Sequence, residues 1–151
     1  MQLSNVDPAI IGVWRWQAVG TTLFLALAAS VFSFSMPLLW PFVPLLIAIV
    51  GAGLSWLLPA LSYQHLRFGV DETGIAIESG ILWRSRVALP RVRIQHTDVS
   101  QGPLERRYGV GTLKLYTAGS RHTRIELSGL NYDDAISLRD TLLAAGDNSG
   151  V

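Results

Sequence analysis

The chain contains no cysteine. Disulfides, thiolate nucleophiles and cysteine-based metal sites are therefore excluded. Its three histidines, His65, His96 and His122, lack the short spacings that bring imidazoles onto one metal ion, so neither a metal site nor a cofactor is expected. Lysine occurs once, at Lys114, which rules out a polybasic lysine tail. Charge is scarce: Asp, Glu, Lys and Arg make up 15% of the residues, against about a quarter in an ordinary soluble domain. Charge is missing altogether from residue 16 to residue 66. No soluble fold easily accounts for such a gap, because a surface helix needs a polar face.

What fills the gap is apolar. One span runs over about 16–34 and a second over about 38–61, joined by Ser35-Met36-Pro37. Each has the roughly 20 residues a helix needs to cross a bilayer. Thr21, Thr22, Ser30 and Ser55 can return their hydrogen bonds to helix carbonyls. Pro41 and Pro44 suit a helix start, and Pro59 suits a helix end or a kink near one. Trp14, Trp16, Trp40 and Trp56 lie near the span ends, where indoles favour the headgroup layer. A cleaved signal peptide fits poorly, because the leading segment is Arg-poor and a second apolar span follows directly. Arg15 and Arg67 flank the pair while the connecting turn is uncharged, so both termini are expected in the cytoplasm. Small residues recur along both spans, at Thr22, Ala26, Ser30 and Ser33 and at Ala48, Gly51, Ala52, Gly53 and Ser55. Such faces permit close helix approach. They suit either a hairpin packed on itself or an assembly of two copies.

From Tyr63 onward, polar and apolar residues alternate and Gly or Pro recurs, the pattern of short strands and turns. Strands are expected at about 63–70, 75–79, 82–89, 94–100, 110–117 and 122–128. Turns are expected at Asp71-Glu72-Thr73-Gly74, with Gly74 at positive φ, and at Ala118-Gly119-Ser120. Pro90 and Arg91-Val92-Arg93 mark a break, and 102–109 a loop with one helical turn. A final helix, capped by Asn131 or Asp133, carries the apolar stripe Ala135, Leu138, Leu142, Ala145 and closes at Gly146.

The runs Arg91-Val92-Arg93-Ile94-Gln95-His96-Thr97-Asp98-Val99 and Gln101-Gly102-Pro103-Leu104-Glu105-Arg106-Arg107-Tyr108-Gly109-Val110-Gly111-Thr112-Leu113, with Ile77-Glu78-Ser79-Gly80-Ile81-Leu82 upstream, resemble the bacterial pleckstrin-homology-like (PH) domain of the YdbS-like membrane proteins. The resemblance covers about 62–145. It implies an α+β membrane protein: a transmembrane hairpin, then about seven antiparallel strands in two nearly orthogonal sheets, capped by a C-terminal helix. The expected layout is a cytoplasmic segment over 1–15, the hairpin over 16–61, the PH-like domain over 62–145 and a disordered tail over 146–151, in a bacterial inner membrane. A fold does not fix a function.

Catalytic patterns are weak. Gly109-Val110-Gly111 has no following Lys-Ser or Lys-Thr and no strand-to-helix setting, so it is no phosphate loop. Asp98 and Glu105 are separated by a Pro-containing loop, and nothing favours an acid–base pair over solvated surface. A non-enzymatic protein is expected. The stronger hint is electrostatic: Arg84, Arg86, Arg91, Arg93, Arg106, Arg107, Lys114, Arg121 and Arg124 stand against only Asp98 and Glu105 within that stretch. Beside an anionic leaflet each cation is worth about 1 kcal/mol, and arginine grips phosphate through two hydrogen bonds. A solvated, positive-inside surface explains the same charges. Gln95, Gln101, Arg106 and Gly109 match the family's motif, and serve either a shared ligand or partner surface or the support of loops. Trp83 and Tyr108 suit the core or a membrane face equally. Nucleic acid is not an expected partner, given a pI of about 8.2 and no exposed aromatics interleaved with the basic residues. The expectation is a membrane-anchored scaffold or interaction module that assembles with another membrane protein or with itself. Binding of an anionic phospholipid is the alternative, and a small lipid-acting enzyme a third.

Overall fold

The computed structural model describes residues 3–34, 42–71, 73–117 and 124–147. The expected turns around Met36 and at Ala118-Gly119-Ser120, and the tail beyond Asp147, lie outside these residues, as do Trp40, Pro41, Arg121 and His122. In chain order the elements are β1 (Ser4–Asn5), α1 (Ile10–Ser33), α2 (Phe42–His65), β2 (Arg67–Val70), β3 (Gly74–Ser79) and β4 (Ser85–Pro90). A 3-10 turn (Arg91–Arg93) follows, then β5 (Ile94–Ser100), α3 (Pro103–Tyr108), β6 (Val110–Thr117), β7 (Arg124–Asn131) and α4 (Tyr132–Asp147). They form two compact units. One comprises Met1–Ile10 and Ser62–Val151, the other Ile11–Leu61.

The helical unit has the length and exposure of membrane spans. Only 6% of the most apolar stretch of α1 and 11% of that of α2 is buried, whereas core helices of a soluble protein bury an apolar face. The two helices meet through small polar groups. The Thr22 and Ser55 hydroxyls lie 3.2 Å apart, and a β-carbon on Gly51 would run into the Thr22 side chain. The Arg15 guanidinium stacks 3.9 Å from the centre of the Trp56 ring. Thr22, Gly51 and Ser55 thus serve a contact within the hairpin, while Ala52 and Gly53 are exposed. Pro59 does not end α2, which continues to His65. The strand expected from 63 accordingly begins at Arg67.

In the other unit, β1-β2-β3-β4 form one antiparallel sheet and β5-β6-β7 another. Ile75, Ile77, Leu89, Val110, Leu113, Leu115, Leu127 and Leu130 fill the core, and α4 closes it with Ala135 and Leu142. The Asn131 side chain accepts the Asp133 N–H at 3.1 Å and caps α4. Gly74 is not at positive φ, contrary to expectation. It is a strand residue opposite Pro90 and has no room for a side chain, because the Leu89 carbonyl lies against it. Among the described residues the positive-φ positions are Gly80, Gly109 and Gly129.

The N-terminal segment joins the two sheets. Ser4 and Asn5 pair with Phe68 and Arg67 of the first, and the Asp7 N–H donates to the Gly129 carbonyl of the second at 2.7 Å. Val6 and Ile10 are buried beneath it.

Candidate functional site

A cleft of about 650 Å³ opens where β3 meets β4. Strand register builds it. Arg67 lies directly opposite Glu78, and Glu78 directly opposite Arg86, with Asn5 opposite Arg67 on the outer side. Directly opposed residues project from one face, so these four form a row across the sheet. Arg84, two residues before Arg86, lines the same cleft. Arg86 pairs with Glu78. Three guanidinium groups therefore face one carboxylate, leaving an excess of positive charge. Ser79, Gly80 and Ser85 complete this end, and Tyr63, Gln64 and His65 form the remaining wall. Those three are the last residues of α2. At 1.5 Å per helical residue they lie within about 6 Å of Leu61 along the helix axis, where the apolar span ends.

The hairpin tip above the cleft differs from the expected strand over 82–89. Gly80 adopts φ 110, and its missing β-carbon leaves room for the Trp83 carbonyl. The chain turns there, and β4 starts only at Ser85. Leu82 and Trp83 are left on the tip, 86% and 85% exposed.

The other candidate arginines lie elsewhere. Arg91 and Arg93 occupy the 3-10 turn beyond Pro90, while Arg84 precedes Ser85 at the opposite end of β4. The five residue steps from Ser85 to Pro90 separate those ends by roughly 17 Å. Arg106 and Arg107 are exposed on α3, next to β6 of the second sheet. Of the six proposed arginines, Arg84 and Arg86 share the cleft. Arg67, read from the sequence only as a topogenic flank, joins them.

Three of the four family-motif residues build local structure. Gln95 is the extra residue of a β-bulge in β5, between Ile94 opposite Thr117 and His96 opposite Tyr116. Gln101 donates its side-chain amide to the Val110 carbonyl at 2.9 Å. Gly109 ends α3 with φ 69, its N–H reaching the Arg106 carbonyl and its own carbonyl accepting from Tyr132. Arg106 is exposed on α3. The hub of this region is Glu105. One carboxylate oxygen accepts the Gly102 N–H at 2.6 Å, and the other accepts the Thr112 hydroxyl at 2.7 Å. The Thr112 oxygen also lies 3.0 Å from the Ser128 hydroxyl. Asp98 sits on β5 opposite Lys114, so Asp98 and Glu105 share no hydrogen-bonded site. His96 stacks at 5.7 Å on Tyr116, away from His65 in the cleft. Among the described residues no three His, Asp or Glu side chains group as metal ligands.

The family model described as bacterial PH domain matches residues 10–146. The chain is also 32% identical, over 151 aligned positions, to the UPF0699 transmembrane protein YdbS of Bacillus subtilis (strain 168), covering 92% of this chain and 89% of that protein. No solved structure matches. Both descriptions name a fold or a membrane location, and neither names a reaction.

Proposed function

The chain belongs to the bacterial PH domain family and is a membrane protein, and from that premise we propose that it is a non-enzymatic interaction module holding anionic lipid headgroups in the Arg67–Arg84–Arg86 cleft. One observation carries this reading: the cleft's basic residues share a cavity with Tyr63, Gln64 and His65, the last turn of the second apolar helix. A phosphate in that layer meets guanidinium groups suited to two-pronged hydrogen bonding. Glu78 neutralises Arg86 and keeps Arg67 and Arg84 as the free excess. The basic flanks favour a cytoplasmic face of the bacterial inner membrane, where anionic lipids supply the complementary charge.

The test uses the full-length protein in a mild detergent, with phosphatidylglycerol or phosphatidylcholine added and bound lipid counted by native mass spectrometry. Phosphatidylglycerol should be retained in preference. Arg67→Gln combined with Arg84→Gln spares the Arg86–Glu78 pair. At about 1 kcal/mol per cation, it should weaken retention about 30-fold. Equal retention of both lipids by the wild type, or of phosphatidylglycerol by the double variant, refutes the reading. A stoichiometric protein that co-purifies in place of lipid would return the weight to a scaffold for a second membrane protein.

A further inference from the structure

The hairpin tip presents a feature that headgroup binding alone does not use. Leu82 and Trp83 are almost wholly exposed, though both are large and apolar. A soluble surface tolerates single exposed side chains of this kind, but adjacent ones on a protruding turn mark an interaction site. The chain is held in that shape by its own backbone, through the left-handed Gly80 and the Trp83 carbonyl packed against it. The tip is flanked by Gly80, Arg84 and Ser85, and these residues line one cavity with the last turn of α2. A tryptophan beside a leucine, with arginines at the base, is the composition that settles into the headgroup layer: the indole prefers the interface, and the guanidinium groups prefer the phosphates.

We infer that the β3–β4 hairpin tip is a membrane wedge, with Leu82 and Trp83 inserted at the boundary between headgroups and acyl chains of the bilayer that α1 and α2 cross. The inference rests on the headgroup reading for the side of the cleft that faces the lipid, and adds a second attachment to it. The occupant is the bilayer itself, favoured by two observations: the tip's base lines one cavity with Tyr63, Gln64 and His65, which follow the apolar span in the chain, and its charges complement an anionic surface.

The absence of cysteine makes the test clean. A nitroxide is attached to L82C in the full-length protein, reconstituted into vesicles of phosphatidylcholine alone or with phosphatidylglycerol. The control is V92C, because Val92 is equally exposed at 85% but lies beyond the far end of β4. The label at 82 should collide more with oxygen and less with an aqueous nickel chelate than the label at 92. W83C repeats the measurement at a second exposed position. Collision with the nickel chelate equal to that at 92 overturns the inference. Shielding from both reagents overturns it too, since that indicates burial against protein. A label inserted even without phosphatidylglycerol supports the wedge independently of the headgroup reading. An aqueous label in a protein that still retains phosphatidylglycerol removes the wedge and leaves the cleft.

Discussion

The Asp7 N–H donates to the Gly129 carbonyl at 2.7 Å, a bond between a residue ahead of the first membrane helix and a bulged residue near the end of the last strand. Gly129 is the extra residue between Leu130, opposite Gly111, and Ser128, opposite Thr112. It adopts a φ of 86. Asp7 in turn accepts the Ala9 N–H at 2.8 Å on its side chain, turning the chain toward α1. The PH-like unit is thus discontinuous in sequence, closed by residues on both sides of the hairpin.

Gly129→Ala should destabilise the protein by about 2–4 kcal/mol, since a side chain there meets both a left-handed backbone and an overpacked neighbour. A β-carbon would lie 2.9 Å from that of Ile10, which is fully buried. Thermal unfolding of the full-length protein in detergent should show a clear drop in Tm. Gly53→Ala, where a β-carbon meets open space, should leave Tm nearly unchanged.

Excision at residue 62 removes β1, Val6 and Ile10 from the sheet unit. Hydrogen exchange should find β2 poorly protected in a fragment covering 62–147. Protection should return when residues 3–10 are added as a peptide in trans. A fragment as protected as the whole chain would show that the N-terminal strand contributes nothing.

Glu105→Gln replaces a carboxylate that accepts from both Gly102 and Thr112. Charge-assisted hydrogen bonds of this kind contribute about 1.5–3 kcal/mol, and denaturant titration should show a loss in that range. The same substitution at the exposed Glu126, which pairs with Arg124 at the surface, should cost less than about 1 kcal/mol.

How much of this was legible in the sequence follows from how local each signal is. The two spans declared themselves because no charge interrupts residues 16–66. The strands of the second sheet were legible from alternation, and α4 from its stripe and its Asn131 cap. Ser4 and Asn5 carry no pattern, so β1 depends wholly on a partner strand far along the chain. Leu82 and Trp83 extend an apolar alternation into what is a turn, because Gly80 redirects the backbone ahead of them. The cleft was half legible. Arg84 and Arg86 stood out as a same-face pair, but their joining Arg67 depends on register. The signal existed: a turn at 71–74 folds 67 onto 78, as observed. Glu105 was weighed only as a catalytic carboxylate, although a Glu three residues after Gly102, with a Pro between, has the spacing of a helix start.

Asp71 offers a pH test at a turn. The Thr73 hydroxyl, with the Thr73 and Gly74 N–H groups behind it, holds the carboxyl below its ordinary 3.8. The folded value is depressed, so the contribution is complete above the unfolded value and is lost as pH falls through the folded one. The Thr73 and Gly74 amide resonances should stay fixed at neutral pH and shift only below about pH 4. In Asp71→Asn that shift should vanish.

The central claim, that the cleft lined by Arg67, Arg84 and the last residues of α2 holds anionic lipid, is tested most directly in native membranes. A photo-crosslinking amino acid placed at Ser85, an exposed cleft residue, is illuminated in intact cells expressing the full-length protein, and the adducts are weighed. The account predicts adducts with the mass of an anionic phospholipid, lost when Arg67 and Arg84 are both changed to Gln. Adducts to protein alone, or lipid adducts indifferent to those two arginines, would contradict it.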